Sequence, residues 1–329
     1  MANKLKDLII MPEFANHEVD LSLVKGRAID VITYDEKTLV TKKKVAILAL
    51  PVIAILSLFG IINYYRVMYY LRNYRKLNQY ISARLAKVSM TQYKNVLWIK
   101  AAGIDHSVIN QDGSDARKRY LYLYDPIDRY PDVEKKFNFF NGVYTFDPND
   151  SRKYNINYLK MFSQIQTDAV ADKDQNIIND MIYVGSFTLR RLLSLLILKI
   201  FTRSCRTRLI LVNTLLPKIS IFGIEINNKP ITRESLFALY TKSKVIIELR
   251  ADDQAGYSQR ENDSIILQRS LVVLQEFRLR EVCNYFNLSN NLKKIRIVAN
   301  DHDGMQAATL CQNRQLSVEE FLDTIFCGR

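Results

Sequence analysis

Short apolar runs of strand type alternate with longer helix-like segments along this chain, and such alternation is typical of α/β proteins with parallel sheets. The runs form two series: residues 8–11, 28–34, 95–100, 119–124 and 142–146, then residues 180–184, 208–212, 245–249, 270–274 and 294–298. A long helix is predicted over residues 189–200. The chain has 329 residues, which is more than one hydrophobic core usually serves. We therefore predict an α/β fold with two Rossmann-like domains, residues 1–165 and 166–329, divided where polar residues cluster at 160–175.

One uncharged stretch, residues 45–62, is almost long enough to span a membrane and directly follows three lysines. Pro51 lies inside it, and basic residues flank both ends, so the positive-inside rule gives no orientation. A span, an interfacial or re-entrant helix and a buried helix all remain open. If the strands on either side share one sheet, the intervening helix cannot leave by the far side of the bilayer. That topology favours an apolar, membrane-associated helix in the first domain.

The charge of the chain predicts anionic partners. Lysine and arginine total 47 against 34 aspartates and glutamates, which gives a net charge of +13. Acidic lipid headgroups, phosphorylated small molecules and nucleic acid all fit such a charge. The basic residues lie along apolar helices rather than among strand aromatics, and no nucleic-acid-binding motif is present, so nucleic acid is disfavoured.

The cysteines and the N-terminus favour a reducing compartment. Cys205, Cys283, Cys311 and Cys327 are far apart and form no CxxC pair, so they predict neither a zinc site nor a disulfide framework. The first ten residues lack the pattern of a secretory signal. We expect a cytoplasmic protein, or one at the cytoplasmic face of a membrane.

Four motifs carry a family resemblance. They are the strand end Trp98-Ile99-Lys100, a YxxDxxxxYP element from Tyr122 through Asp125 to Pro131, a YTFDPxDxxKY element from Tyr144 to Tyr154, and a QxGxxxR loop from Gln254 to Asp263. With them, roughly residues 93–300 resemble a family of bacterial capsule and lipopolysaccharide biosynthesis proteins with the GT-B fold. The resemblance implies two Rossmann-like domains facing a cleft, the first binding the acceptor and the second binding a nucleotide sugar.

The QxGxxxR loop contains most of the expected donor-binding residues. The guanidinium of Arg260 matches diphosphate geometry, and Gly256 lets backbone approach a ligand closely. Asp263, which stands where the family has glutamate, would accept from ribose hydroxyls or merely complement a helix dipole. Gln254 and Ser258 would either cap that helix or contact phosphate.

A second candidate donor turn precedes the helix predicted over residues 189–200. Gly185 and Ser186 lie between a strand and this helix, where an anion can bind the helix N-terminus. The helix itself is basic and amphipathic, as helices lying on anionic lipid are. Its predicted membrane contacts are Leu192, Leu195, Leu196 and Arg203.

Transfer of a sugar to a hydroxyl requires a general base, which we expect in the first domain. Asp125 ends a strand, where α/β sheets place ligand groups, and is the first candidate. It could equally be a turn aspartate that caps the next element. Asp105 and His106 follow another strand end and form the second candidate pair.

No metal site is predicted. His17 and His302 lack neighbours that would complete one, and Asp301 and Asp303 have DxD spacing but lie late in the second domain. We expect a metal-independent reaction with no cofactor beyond the nucleotide-sugar co-substrate.

The sequence therefore predicts a hexosyltransferase-type glycosyltransferase. It would transfer a sugar from a nucleotide sugar to a glycan or lipid-linked glycan precursor of capsule, O-antigen or lipopolysaccharide at the cytoplasmic face of the bacterial inner membrane. The alternative is a non-catalytic, membrane-associated binding protein with the same fold, because Asp263 is one methylene shorter than the family's glutamate.

Overall fold

The computed structural model of the chain contains two parallel-stranded sheets, each covered by helices. It describes residues 5–12, 24, 27–34, 43–59, 61–111, 117–162, 177–212, 218–229, 231–251, 254–256, 258–267, 269–276 and 317–328. The predicted strand at 294–298, most of the predicted domain border, and the histidines His17 and His302 lie outside these residues.

The first sheet has six parallel strands in the order β2-β1-β3-β4-β5-β6. They are β1 (Lys6–Pro12), β2 (Ile29–Tyr34), β3 (Tyr93–Ile99), β4 (Lys118–Leu123), β5 (Gly142–Thr145) and β6 (Asn157–Tyr158). All five predicted strands of the first series are confirmed. The chain runs from β1 to β2 on one side, and then crosses to β3 on the other side of β1. Because the strand order reverses there, a crevice opens at the carboxyl ends of β1 and β3.

Helices connect β2 to β3 and complete the first domain. They are α1 (Lys43–Leu58), α2 (Tyr64–Leu71) and α3 (Tyr74–Leu85), and the later connections contain α4 (His106–Ile109) and α5 (Pro148–Tyr154). Asn63 and Asn73 begin α2 and α3, because each side chain accepts a hydrogen bond from a free backbone N–H of the first turn. Leu77 and Ile81 of α3 are buried against the sheet.

The second sheet has the order β12-β11-β7-β8-β10-β9 and is parallel except for the β9–β10 hairpin. Its strands are β7 (Asn179–Ser186), β8 (Thr207–Val212), β9 (Ile219–Ile221), β10 (Ile224–Ile226), β11 (Ser243–Arg250) and β12 (Ser270–Gln275). Four strands of the second series are confirmed, whereas the three-residue strands of the hairpin were not predicted. The strand order reverses between β7 and β11, so this domain has its crevice there.

The helices of the second domain are α6 (Leu189–Phe201), α7 (Arg233–Thr241) and α8 (Gln259–Ile266). The prediction that α6 lays its leucines on a membrane was wrong. Leu192 and Leu195 are buried in the core formed with β7 and β8, and Leu196 packs against the same cluster. The apolar stripe of a helix in an α/β domain faces its own sheet, which explains the pattern without lipid. Arg203, beyond the end of the helix, is exposed.

The apolar segment predicted at 45–62 forms α1 and the turn after it. Ile53 and Leu58 are buried, whereas Val52 and Ile55 are 56% and 49% exposed. Helix α1 of the first domain also contacts α6 of the second. No helix within the described residues is both long enough and apolar enough to cross a membrane. Strands β2 and β3, before and after α1, share one sheet, as the sequence argument required.

The last described helix, α9 (Val318–Cys327), belongs to the first domain. Ser317 and Glu320 form a capping box at its start. Phe321 packs edge-on against Tyr122 of β4, with ring centroids 4.7 Å apart. The predicted division into residues 1–165 and 166–329 therefore does not hold for α9, because its apolar face covers the outer side of the first sheet.

Candidate active site

Asp147, which follows β5, joins the two domains. One of its carboxylate oxygens caps α5 by accepting from the backbone N–H groups of Asn149 (2.8 Å) and Asp150 (3.4 Å). The other oxygen accepts from the backbone N–H groups of Ala255 (2.7 Å) and Gly256 (3.0 Å) in the second domain. Asp147 is 1% exposed. A single buried carboxylate therefore holds the loop after β11 against the first domain, and the carboxyl ends of both sheets meet at one cleft.

Gly256 is required by this contact between domains. A Cβ atom at this position would collide with the carbonyl oxygen and ring of Phe146. Gln254 also belongs to this contact, since its side chain donates to the carbonyl of Gly256 at 3.2 Å. We expected the backbone at Gly256 to approach a ligand closely. In the structure it approaches Phe146 of the first domain instead.

On the first-domain side of the cleft, Asp125 lies in a cluster of cations. Its carboxylate lies 3.1 Å from the Lys100 Nζ and 3.0 Å from the Arg129 guanidinium, and it accepts from the Tyr130 hydroxyl at 2.7 Å. Burial opposes ionisation, but the charges of Lys100 and Arg129 and the hydrogen bond from Tyr130 hold the pKa of Asp125 well below its ordinary value. A carboxylate held in this way is a weak proton acceptor.

Lys100 contributes a second unusual feature to the cluster. Its φ of +68° lies in the left-handed region that residues with a side chain seldom adopt. Its ammonium group lies 5.2 Å from the ring centroid of Tyr130. Strained backbone of this kind concentrates at ligand sites.

The second candidate pair, Asp105 and His106, lies at the same edge of the sheet and is exposed. Asp105 precedes α4, and its side chain makes no capping hydrogen bond to the helix backbone. His106 stacks on Phe139 with ring centroids 5.9 Å apart. Within the described residues, no group of three histidine, cysteine, aspartate or glutamate side chains is arranged to hold a metal ion.

The YxxDxxxxYP and YTFDPxDxxKY elements dock onto each other. Asp128 accepts from Lys153 at 2.8 Å and from the Tyr154 hydroxyl at 3.1 Å. Asp150 accepts from the backbone N–H of Ile127 at 2.8 Å. The two motifs thus form one structural unit that supports both Asp125 and Asp147.

On the second-domain side, Arg260 is paired with Glu248 of β11 at 2.6 Å and lies over the ring of Tyr183, 5.2 Å from its centroid. Burial lowers the pKa of Arg260, but the carboxylate of Glu248 outweighs it, so the guanidinium stays charged. Ser258 caps α8, because its hydroxyl accepts from Glu261 N–H at 3.3 Å while its own N–H donates to the Glu261 carboxylate at 2.5 Å.

Arg191 forms a second buried ion pair at this edge. Its Nε donates to Glu276, directly after β12, at 2.7 Å, and its Nη1 donates to the carbonyl of Ser186 at 3.2 Å. Arg190 donates to the Glu276 carbonyl at 3.3 Å. Arg190, Arg191 and Arg260 therefore lie with Glu248 and Glu276 around the carboxyl ends of β7, β11 and β12. Arg250, the last residue of β11, forms a further ion pair there with Glu261.

Tyr65 of α2 borders the cluster around Asp125, because the Arg129 guanidinium lies 4.3 Å from the centroid of its ring. Burial lowers the pKa of Arg191, but Tyr183, Tyr65 and Glu276 outweigh burial and raise it. The contact of Asp147 with Ala255 and Gly256 brings the first-domain cluster and the second-domain arginines to the same cleft.

Packing against Tyr183 explains why residue 185 is a glycine. It lies within β7 rather than in the following turn, and a Cβ there would collide with the hydroxyl of Tyr183. Thr188, not Ser186, caps α6 by accepting from Arg191 N–H at 3.1 Å. Ser186 is exposed at the end of β7 and remains available to a ligand.

Comparisons with known proteins identify the fold. No protein-family model and no curated protein matches the sequence. A Listeria monocytogenes protein assigned as a UDP-N-acetylglucosamine 2-epimerase matches over 98% of this chain and 94% of its own, with a TM-score of 0.50 and 9% identity. A UDP-forming alpha,alpha-trehalose-phosphate synthase from Burkholderia xenovorans matches over 89% and 91%, with a TM-score of 0.50 and 11% identity.

These two likenesses establish the fold alone, because so few residues are identical. The chain has the GT-B arrangement of two Rossmann-like domains around a cleft. The predicted fold class is confirmed at this level.

Sequence reasoning missed both glutamates of the site. Glu248 lies inside the apolar run of β11, and Glu276 follows the apolar run of β12. A charged residue within or directly after a buried parallel strand is unusual, because such a strand is covered on both faces. That departure was the available signal, and it points to the crevice.

Asp263, on α8, is buried inside the second domain behind the surface of the cleft. It accepts from Gln259 at 3.1 Å and is 7% exposed. Burial raises the pKa of its carboxyl to about 7, and the Gln259 hydrogen bond and the charges of Arg233 and Arg260 offset this only in part. Asp263 is thus buried on a hydrogen bond from Gln259, and its contact with a ribose stays a prediction.

Replacing Asp263 with asparagine is expected to remove a pH dependence of stability. In the unfolded chain an aspartate has a pKa of about 3.9, so the folded protein holds this proton more tightly between about pH 4 and 7. Stability from this group is fully present below about pH 4 and lost as the pH rises through 7. Urea midpoints of wild type and Asp263→Asn should diverge in the variant's favour from pH 5 to pH 8. Parallel curves would show that the buried carboxyl does not titrate there.

Proposed function

We propose that this protein is a glycosyltransferase that moves a hexose from a nucleotide sugar to a glycan or lipid-linked glycan. The acceptor would be a precursor of a bacterial surface polysaccharide, such as capsule, O-antigen or lipopolysaccharide. The observation that carries the proposal is the pair of guanidinium groups, Arg191 buried and Arg260 partly buried, at the carboxyl ends of β7 and β11. Strand order reverses at this point, which is where nucleotides bind in open α/β sheets.

The arginines fit the leaving group of such a reaction. Negative charge grows on the diphosphate as the sugar departs, and fixed cationic donors stabilise that charge. Glu248 and Glu276 hold the two guanidinium planes in place before the donor arrives, so little reorganisation is needed. Ser186, exposed at the end of β7, would supply a further polar contact for phosphate or ribose, whereas the Ser258 hydroxyl already donates to Glu248 at 2.5 Å.

On the acceptor side, we assign the general base to Asp105 with His106 rather than to Asp125. Asp105 and His106 are exposed at the carboxyl edge of the first sheet, where an acceptor hydroxyl can reach them. Asp125 would instead orient Lys100 and Arg129 toward the cleft, because both cations already hold its carboxylate. This scheme assigns no step to a metal ion, since the remaining guanidinium N–H groups would donate to the diphosphate.

We place the protein at the cytoplasmic face of the inner membrane, bound to anionic lipid. The net charge of +13 and the exposed apolar residues Val52 and Ile55 of α1 support this location. A lipid-linked acceptor would then reach the cleft from the membrane surface.

One observation favours a second function, a non-catalytic binding protein. Arg191 and Arg260 are already neutralised by buried glutamates, as they would be in a purely structural network. In that case the cleft would bind a glycan or lipid headgroup without transferring sugar.

Nucleotide binding separates the two functions. The melting temperature of the purified protein would be measured in the presence of a panel of nucleoside diphosphates and nucleotide sugars. Free hexoses and pyrophosphate would serve as controls. A donor at one hundred times its dissociation constant should add about 2.7 kcal/mol to the free energy of unfolding. Stabilisation by one nucleotide family supports transfer, and no stabilisation by any nucleotide would leave only the binding protein.

A further inference from the structure

The β9–β10 hairpin ends in an exposed aromatic residue with an unusual backbone. Ile221 pairs with Ile224, which leaves Phe222 and Gly223 as a two-residue loop. Both loop residues have positive φ, +49° and +79°. Hairpin loops of this kind normally carry asparagine, aspartate or glycine at the first position, because these residues tolerate the left-handed region. Phenylalanine is therefore strained there.

The ring of Phe222 contributes no packing that would offset this strain. The residue is 81% exposed, which is the highest value among the large apolar side chains of the described residues. Backbone strain persists in proteins mainly where it serves a function, and an exposed apolar side chain of this size offers a contact to something outside the fold.

The surroundings of the loop identify that contact. The Lys199 Nζ lies so near Gly223 that a Cβ there would come within 2.9 Å of it. Ile200, the next residue of α6, is 55% exposed, and Arg203 follows in the loop after the helix. An apolar tip rimmed by cations complements the negative headgroups and apolar interior of an anionic membrane.

The acidic groups of this edge do not cancel these cations. Glu225 of β10 pairs with Arg208 at 3.1 Å, and Asp180 pairs with Arg206 at 3.3 Å and with Lys244 at 3.2 Å. Lys199 donates to a neutral group, the hydroxyl of Thr207, at 3.3 Å. The edge therefore keeps a net positive charge.

We propose that a hairpin patch, comprising Phe222, Gly223, Lys199, Ile200 and Arg203, inserts into an anionic lipid surface. The patch lies at the amino ends of the second-sheet strands, away from the cleft, so docking leaves the donor site open. It replaces Leu192 and Leu195, which are buried in the core, as the lipid contact of this domain. The inference rests on the proposed membrane location and is independent of sugar transfer.

The test is Phe222→Asn, because thermal stability should rise in this variant while lipid binding falls. Asparagine adopts the left-handed region easily, so the melting temperature should rise by about 2–4 °C. Binding to vesicles of phosphatidylcholine with phosphatidylglycerol should weaken about tenfold, because the apolar tip is lost. Leu5→Asn, which removes another exposed apolar side chain at 54% exposure, should leave vesicle binding unchanged.

A second variant tests the cations. Lys199→Gln with Arg203→Gln should lose much of the wild-type preference for vesicles with phosphatidylglycerol over vesicles of phosphatidylcholine alone. Wild-type vesicle binding by Phe222→Asn would overturn the proposal, as would a lower melting temperature, which would mean that the ring packs within the fold. Nucleotide stabilisation of Phe222→Asn should equal that of wild type. Vesicle binding without any nucleotide binding would refute the transferase function while leaving the hairpin patch intact.

Discussion

Replacing Arg260 with methionine is expected to abolish stabilisation by nucleotide sugars and also to weaken the fold by about 3–5 kcal/mol. Glu248 is 3% exposed and would be left with a buried charge lacking its guanidinium partner. The diphosphate would lose a bidentate donor at the same time. Urea unfolding measures the first effect, and titration with the donor found in the nucleotide panel measures the second.

The double variant Glu248→Gln with Arg260→Met separates the two effects. Removing the buried carboxylate together with its partner should restore most of the lost stability, since an intact buried ion pair adds little over neutral packing. Donor binding should stay absent. If Arg260→Met binds the donor as wild type does, the assignment of Arg260 to the diphosphate is wrong. Arg260→Lys keeps the charge but not the bidentate geometry, so it should retain stability better than affinity.

Replacing Asp147 with alanine is expected to separate the two domains and to destabilise the protein by roughly 3–5 kcal/mol. Loss of the α5 cap accounts for about 1 kcal/mol. Loss of a charged acceptor for the N–H groups of Ala255 and Gly256 accounts for about 1.5–3 kcal/mol or more. Small-angle scattering should show a larger radius of gyration, and urea unfolding should show the domains unfolding less cooperatively.

Asp147→Ser is the matched control, because serine caps a helix as aspartate does but is too short to reach the second domain. This variant should keep the stability that the α5 cap contributes, and its radius of gyration should still increase. Gly256→Ala, which places a methyl group against Phe146, should have the same effect on shape without touching the cap. Wild-type dimensions for both variants would show that this contact does not hold the domains together.

The apolar runs predicted nearly every described strand, because a parallel strand covered on both faces must be apolar throughout its length. Strand β6, with two residues, and the strands of the β9–β10 hairpin, with three residues each, are too short for such a signal. Helix α6 was predicted within one residue of its observed end. Its orientation was not, because an apolar stripe has the same period whether it faces a sheet or a membrane.

The residue pattern alone predicts two parallel α/β domains and places Arg260 three residues before Asp263 after a strand. Both follow from local spacing, which is set by the period of strands and helices. Contacts in the folded molecule reveal which groups neutralise the arginines, why Gly185 and Gly256 lack side chains, and that α9 returns to the first sheet. The partners in these contacts are distant in sequence: Asp147 and Gly256, for example, are joined by a hydrogen bond across 109 positions. Such contacts depend on how two folded surfaces meet, and no local periodicity encodes them.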